Sequence, residues 1–237
     1  MKTIGLIGGM SWESTVSYYR IINEEVKKRL GGLHSAKILL YSVEFDEIEK
    51  CQAKGEWEKS ARILGNAAQN LEGAGADFIL ICTNTMHKVA PQIAAMIQVP
   101  LIHIADATAE ELIQQNIHRV GLLGTKYTMT EEFYKQRLVD KGINVLIPNE
   151  EDIESINNTI FKELCLGEVN DGSRETFKII IDKLKQEGAE GIILGCTEIG
   201  LLIHPTDVPI PVFDTTLIHA KSAVKLALDD MEDTIWK

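Results

Sequence analysis

The sequence predicts an α/β protein built from two similar parallel-sheet domains. Short apolar runs that predict strands alternate with longer segments that predict helices, an order typical of a parallel sheet covered by helices on both faces. The order then begins again: residues 119–125 resemble residues 3–9 at an offset of 116, and the Gly-Ala-acid sequence at 188–190 repeats that at 75–77 at an offset of 113. An internal duplication with a small insertion explains both offsets.

The individual elements follow from apolar runs bounded by turn residues. In the first half, strands are predicted at 2–8, 36–43, 78–82 and 99–104, and helices at 13–30, 58–73, 87–97 and 105–115. In the second half, strands are predicted at 119–125, 143–147, 191–195 and 212–214, and helices at 129–141, 153–166, 173–187 and 217–231. We therefore expect one lobe from residues 1–104 plus 211–237 and the other from residues 105–210.

Composition excludes several classes of protein. The formal charge of −11, without an unbalanced cluster of Lys and Arg, argues against nucleic-acid binding. No stretch of 18 apolar residues predicts a membrane span and no secretory signal begins the chain, so we expect a cytoplasmic protein that does not bind a membrane. The four cysteines have no spacing typical of a metal site, so no metal is predicted.

The glycines at 5, 8 and 9 do not form the dinucleotide fingerprint, so a nicotinamide cofactor is not expected. The turn that they form precedes a predicted helix. Its backbone amides could still bind a carboxylate.

Small polar residues follow two matching strands and form the candidate site. The offset of 113 aligns Thr83 with Cys196, and it aligns the next two residues of each stretch as well. Ligands of open α/β sheets bind at the carboxyl ends of strands. We therefore expect a pseudo-twofold relation between the lobes, with Thr83 and Cys196 approaching one small ligand from opposite sides of a cleft. The alternative is that the duplication serves folding only and that these residues cap strands.

Two opposed proton carriers predict a racemase, because a proton removed from one face of a carbon and returned to the other inverts that centre. Cys196 suits the base, since helix N-termini and hydrogen bonds can lower the pKa of a thiol. Thr83 suits it less well, because an alcohol is a poor base at neutral pH but can relay a proton to a forming carbanion. We expect unequal half-reactions.

Four motifs resemble those of the aspartate/glutamate racemase family over nearly the whole chain: residues 8–11, 84–87, 122–125 and 195–198. The resemblance implies two α/β domains, no cofactor, a homodimer, an acidic amino acid as substrate and one catalytic cysteine per domain. The family's first cysteine precedes the Asn-Thr pair, where this chain has Thr83, and its second is Cys196. Cys82 lies one residue early, and because side chains alternate along a strand we expect it to be buried.

The resemblance also implies how the substrate is held. The α-carboxylate and the amine would contact Met10, Asn84, Thr85, Thr197 and Glu198. Glu198 could bind the ammonium, or it could be a solvated acid. Gln52 is the candidate for the side-chain carboxylate, because many relatives have a basic residue there, and Cys165 stands where relatives have a lysine. Strict selectivity for aspartate is therefore not implied, and L-aspartate, L-glutamate or both remain open.

Other functions are compatible with this chain. A single-cysteine decarboxylase of malonate-type substrates, a hydantoin racemase or a maleate isomerase would belong to the same superfamily. A binding protein that lost its first base is the alternative from a different class, and Thr83 is the residue that favours it. His87 is interpreted as a packing or capping residue, and Trp12 as either a lid or a packing residue.

Overall fold

A computed structural model describes residues 1–235 of the chain. The chain divides into two compact units, one from Met1–Ile104 together with the chain from His219 onward, and the other from Ala105–Ile218. The second unit extends beyond the predicted boundary at residue 210. The reason is that the strand at Val212–Asp214 pairs with the strand at Gly191–Gly195, so hydrogen bonds hold this segment in the second sheet.

The first unit contains a four-stranded parallel sheet. Its elements in chain order are β1 (Ile4–Gly8), α1 (Trp12–Leu30), β2 (Ile38–Ser42), α2 (Phe45–Lys54), α3 (Trp57–Gly73), β3 (Phe78–Ile81), a 3-10 helix (Thr85–Val89), α4 (Ala90–Ala94) and β4 (Leu101–Ile102). The strands lie in the order β2-β1-β3-β4, and every neighbouring pair is parallel. Helix α5 (Ile104–Gln114) then leads into the second unit.

The second unit repeats this arrangement. Its elements are β5 (Arg119–Gly124), α6 (Lys126–Thr130), α7 (Glu132–Val139), β6 (Asn144–Leu146), α8 (Glu150–Lys162), a second 3-10 helix (Leu164–Leu166), α9 (Asp171–Gln186), β7 (Gly191–Gly195), α10 (Ile199–Leu202) and β8 (Val212–Asp214). Its strand order, β6-β5-β7-β8, is that of the first sheet with each strand replaced by its counterpart. Helix α11 (Thr215–Ile235) returns the chain to the first unit.

Three predicted helices differ from the structure. The helix predicted at 153–166 begins earlier, as α8 (Glu150–Lys162), and is followed by the second 3-10 helix, because Glu163 between them is not helical. The helix predicted at 129–141 is divided into α6 and α7, because Glu131 between them is extended. The helix predicted at 87–97 begins earlier, as the 3-10 helix, and continues as α4 with a proline in its first turn.

Alternation along β3 places its side chains in two separate cores. Ile79 and Ile81 pack in a cluster with residues of α3, whereas Phe78, Leu80 and Cys82 pack in a cluster with residues of α1 and α11. Both faces of this strand are therefore apolar, as expected for a parallel strand covered on both sides. Polar side chains of this part of the chain are therefore expected only after the carboxyl end of β3.

The turn between β1 and α1 requires glycine at position 9. Gly9 has a φ of 92°, and a Cβ atom there would lie 2.2 Å from the carbonyl oxygen of Val43. Its amide donates to Thr15 Oγ1 at 2.8 Å, and the Ser11 side chain accepts from the Ser14 amide at the start of α1. These two amides already have partners within the chain, so they are not the ones expected to bind a carboxylate.

Among residues 1–235, none of the helices has both the length and the apolar character that crossing a membrane requires.

We expect Gly9→Ala to lower the free energy of unfolding by more than about 3 kcal/mol, because it adds a clash with backbone to a left-handed conformation. Gly32→Ala is the matched control: its φ is also positive, at 56°, but nothing lies within 4 Å of the added Cβ. The control should lose about 1–2 kcal/mol. Urea unfolding of the three proteins measures both values, and equal losses would contradict the role of Val43.

Candidate active site

The carboxyl end of β3 is anchored by its backbone, and Cys82 belongs to the core. The Cys82 amide donates to Ile7 O at 2.9 Å, and Ser14 Oγ donates to Cys82 O at 2.8 Å. The Cys82 side chain is fully buried, and this burial raises the pKa of its thiol. The prediction that Cys82 is buried is confirmed, and its environment disfavours a thiolate.

Thr83 is half-buried and follows directly after this anchor. Asn84 and Thr85 come next and are buried, with exposed fractions of 3% and 5%. The carbonyl oxygen of Thr83 accepts a hydrogen bond from Nδ1 of His87, 2.8 Å away. Three of the residues predicted from the sequence, Thr83, Asn84 and Thr85, thus form one continuous polar segment that runs from the end of β3 into the first residue of the 3-10 helix.

Gln52 and Met10 lie close to Met86, the residue that follows this polar segment. Gln52 lies in α2, where it is 6% exposed, and its Nε2 donates to Met86 Sδ at 3.0 Å. Met10 and Met86 belong to the same apolar cluster. Gln52 therefore lies beside the residue that follows Thr85, and the Met10 side chain contributes packing, which leaves its backbone for any contact with a ligand.

The carboxyl end of β7 presents a thiol and a carboxylate in direct contact. Cys196 Sγ donates to Glu198 Oε2 at 3.0 Å, and Thr197 Oγ1 donates to the same oxygen. Cys196 and Glu198 are 8% and 5% exposed. The interpretation of Glu198 as a solvated acid is wrong, because its carboxylate is buried and accepts two hydrogen bonds from its neighbours.

The pKa of Cys196 is raised well above its ordinary value. Burial is the largest cause, followed by the negative charge of Glu198 and by the neighbouring Cys165. The expectation that the environment of this strand end lowers the pKa of Cys196 is wrong. A buried carboxylate beside a thiol disfavours a second negative charge, while it remains an acceptor for the thiol proton.

Residues outside the predicted motifs stabilise the end of β7 and the start of α11. Thr215 Oγ1 donates to Leu194 O at 2.9 Å, and Asp214 Oδ1 accepts from the amides of Thr216 and Leu217 at 2.8 and 3.2 Å. Burial raises the pKa of Asp214. The sequence signal was an acid followed by two threonines between a strand and a helix, which is typical of a helix N-terminus.

Trp12 and Lys88 each follow one of the predicted motifs. Trp12 is 65% exposed, so its interpretation as a packing residue is wrong. Lys88, next to His87, lies with its Nζ 3.8 Å from the ring centroid of Trp57, a cation–π contact within the first unit.

Comparisons with known proteins support the two-unit architecture. The family model described as Asp/Glu/Hydantoin racemase matches residues 7–223. A solved structure from Yersinia pestis, provisionally named an Asp/Glu racemase, is 57% identical with a TM-score of 0.91, over 96% of this chain and 100% of that chain. An aspartate racemase homologue from Pyrococcus horikoshii OT3 is 40% identical with a TM-score of 0.84, over 96% and 99%. The broad specificity amino-acid racemase RacX of Bacillus subtilis (strain 168) is 23% identical over 238 residues, which cover 95% of this chain and 98% of RacX.

The contact between Cys196 and Glu198 predicts how the thiol titrates. Glu198→Gln removes a negative charge that raises the pKa of Cys196, so we expect that pKa to fall while burial keeps it above the ordinary value. The pH dependence of alkylation by iodoacetamide, mapped to the Cys196 peptide, measures it. Both proteins should carry Cys165→Ser, because Cys165 is half-buried and would also react.

The control for this measurement is Glu168→Gln, which removes an exposed carboxylate that does not contribute to the shift. It should leave the alkylation profile unchanged. An unchanged profile in the Glu198→Gln protein would contradict the role given to the carboxylate.

Proposed function

Because the chain belongs to the Asp/Glu/hydantoin racemase family, we propose that it is a cofactor-independent racemase of L-aspartate, L-glutamate or both. In this proposal Cys196 removes the α-proton of the L-enantiomer, and Thr83 returns a proton on the opposite face. The observation that carries the proposal is the 3.0 Å contact between Cys196 Sγ and Glu198 Oε2, which gives the thiol a proton acceptor.

Proton removal begins with that contact. Glu198 accepts the thiol proton, and the resulting thiolate takes the proton from Cα, which leaves a carbanion and regenerates the thiol. Glu198 then releases its proton to solvent. A carboxylate that shuttles this proton explains how a thiol with a raised pKa can act as a base without being ionised in the free protein.

Return of the proton is assigned to Thr83. Its hydroxyl donates to the opposite face of the carbanion, and solvent replaces the proton, so that the proton released at Glu198 is balanced by one taken up at Thr83. Burial of Cys82 within an apolar cluster supports this assignment, because it leaves Thr83 as the proton carrier at the end of β3. An alcohol is a weak base, so removal of a proton from the D-enantiomer should be slow.

Binding of the substrate is assigned to the polar residues of the two strand ends: Asn84, Thr85, Thr197 and Glu198, with the backbone of Met10. Gln52 is proposed to contact the side-chain carboxylate. Its neutral amide is compatible with either length of acidic side chain, because it does not impose the fixed ion pair that a basic residue would form.

A single-cysteine decarboxylase is the second candidate function. One observation favours it: a thiol with a raised pKa is fully protonated, and decarboxylation requires only that a carbanion be protonated. A decarboxylase would release CO2 from a malonate-type acid and would not exchange the α-proton of an amino acid. The same incubation can therefore be run with both substrate classes.

The homodimer stays a prediction. Three apolar side chains on α1, Trp12, Val16 and Tyr19, are each at least 55% exposed and are spaced so that they share one face of the helix. This exposed apolar face supports the proposed association of two copies.

We expect the wild-type protein in D2O to convert L-aspartate or L-glutamate to the α-deuterated D-enantiomer. Because an alcohol replaces a thiol, kcat for the reverse conversion should be at least about 10-fold lower, with KM lower in proportion, since enantiomers have equal free energy and kcat/KM must match in the two directions. NMR of the α-position with chiral chromatography measures both directions. Cys196→Ser should abolish exchange from the L-enantiomer, whereas Cys82→Ala, which removes the buried thiol, should retain it. Thr83→Cys should accelerate exchange of the D-enantiomer. Absence of exchange with all four enantiomers would exclude the proposed racemase.

Glu198→Gln should lower kcat for conversion of the L-enantiomer by about 100-fold or more at pH 7, because the thiol loses its proton acceptor. Burial still keeps the pKa of Cys196 above its ordinary value in this variant, so the deficit should shrink as the pH is raised and hydroxide removes the thiol proton. Steady-state rates between pH 7 and 10 test this. A variant that retains full activity at pH 7 would show that Glu198 is not the acceptor.

A further inference from the structure

Three buried histidines lie together in the first unit, and the proposed reaction uses none of them. His87, His103 and His219 are 1%, 5% and 0% exposed. The ring centroid of His87 lies 4.5 Å from that of His103 and 5.7 Å from that of His219, with the rings steeply inclined in both pairs. Buried imidazoles at this density need specific hydrogen bonds, because an unsatisfied ring nitrogen in a core is costly.

His87 joins the polar segment to the start of α5. Its Nδ1 lies 2.8 Å from the carbonyl oxygen of Thr83, and its Nε2 lies 3.2 Å from the amide nitrogen of Ile104. A carbonyl oxygen can only accept and an amide can only donate, so Nδ1 carries the proton and Nε2 is unprotonated. His87 is therefore a neutral imidazole in one tautomer, with both ring nitrogens bonded to backbone.

His219 stabilises the same region through the neighbouring strand. Its Nε2 donates to Ile102 O at 2.9 Å, and its Nδ1 accepts from the Tyr18 hydroxyl at 2.8 Å. Burial, followed by the neighbouring His87, lowers the pKa of His219 to about 3. The backbone that bonds to His87 at Ile104 is thus held two residues earlier by a second neutral histidine.

These bonds constrain the backbone of Thr83 itself. The His87 imidazole connects the Thr83 carbonyl to the junction between β4 and α5. Because the ring is rigid, it fixes the distance between these two backbone groups, which a flexible side chain could not do. The position of the Thr83 hydroxyl depends on the orientation of its peptide. A displacement of about 1 Å in a group that transfers a proton can lower a rate about 100-fold.

We propose that His87 is a positioning residue for the proton transfer assigned to Thr83, acting through the hydrogen bond from its Nδ1 to the Thr83 carbonyl. This inference rests on the proposed racemase function and extends it. His87 acts on the reprotonation step, since its Nδ1 bonds to Thr83 itself, whereas proton removal is assigned to Cys196.

Two amide variants separate the two ring nitrogens. In His87→Asn the side-chain amide nitrogen occupies the place of Nδ1 and keeps a donor for Thr83 O. In His87→Gln the amide reaches the place of Nε2, where it can accept from Ile104 but leaves the Thr83 carbonyl without its donor. Both variants are polar and remove the ring, so they are matched for loss of packing, and thermal unfolding of each reports that loss.

Two reactions separate the two steps. Racemisation of the L-enantiomer requires both Cys196 and Thr83. The 3-chloro derivative of the same L-amino acid requires only removal of its α-proton, because the electron pair of the broken C–H bond expels chloride and water hydrolyses the resulting enamine to a keto acid and ammonium. The ratio of D-enantiomer formation to chloride release therefore measures reprotonation relative to proton removal.

We expect His87→Asn to keep this ratio within about 2-fold of wild type and His87→Gln to lower it about 10-fold or more, with chloride release little changed in both. A ratio unchanged in His87→Gln, or lowered equally in both variants, would overturn the inference. So would an equal loss of both reactions, which indicates structural damage only. If wild type converts no L-enantiomer at all, the proposed function fails instead.

A measurement on the wild-type protein keeps the inference testable if a variant does not fold. The nitrogen chemical shifts of 15N-labelled histidine should identify His87 as protonated at Nδ1 and unprotonated at Nε2 at neutral pH. A His87 protonated at Nε2, or at both nitrogens, would overturn the inference, because Nε2 could not then accept from Ile104.

Discussion

When helices cover both faces of a parallel sheet, polar side chains can be accommodated only at the ends of its strands. In β3 this constraint is strict: side chains on one face enter one apolar cluster and those on the other face enter a second, with Cys82 the last of them. Thr83, the next residue, is half-buried and begins the polar segment. The chemistry of this protein is therefore assigned to the few residues that follow β3 and β7.

The two strand ends are built differently. After β7, a thiol, a hydroxyl and a carboxylate are in contact, and the carboxylate is the only formal charge among them. After β3, an alcohol is followed by neutral polar groups and a neutral histidine. A carboxylate beside a thiol makes that end a proton acceptor, while the neutral surroundings of Thr83 suit a donor. The proposed assignment of proton removal to Cys196 and of reprotonation to Thr83 follows from this difference in charge.

Rigid backbone is the second feature that the proposed chemistry needs. The end of β3 is held by Ile7 and Ser14 on one side and by His87 on the other, and the end of β7 is held by Thr215. Each of these contacts involves a backbone group, so together they fix the backbone from which the reacting side chains extend. Sites on such supported strand ends hold reacting groups more closely than sites on free loops.

The sequence by itself determined the alternation of strands and helices, the duplication and the correspondence of Thr83 with Cys196, because period and offset are properties of the chain. It also determined that Cys82 is buried, since side chains alternate along a strand. Only the tertiary structure decided that Glu198 is buried against Cys196, that the thiol pKa is raised, and that the second unit extends to Ile218. It also decided that His87 bridges Thr83 to Ile104, residues 21 positions apart (83 to 104). Burial and ring-nitrogen partners depend on which segments pack together, and no local pattern of residues records that.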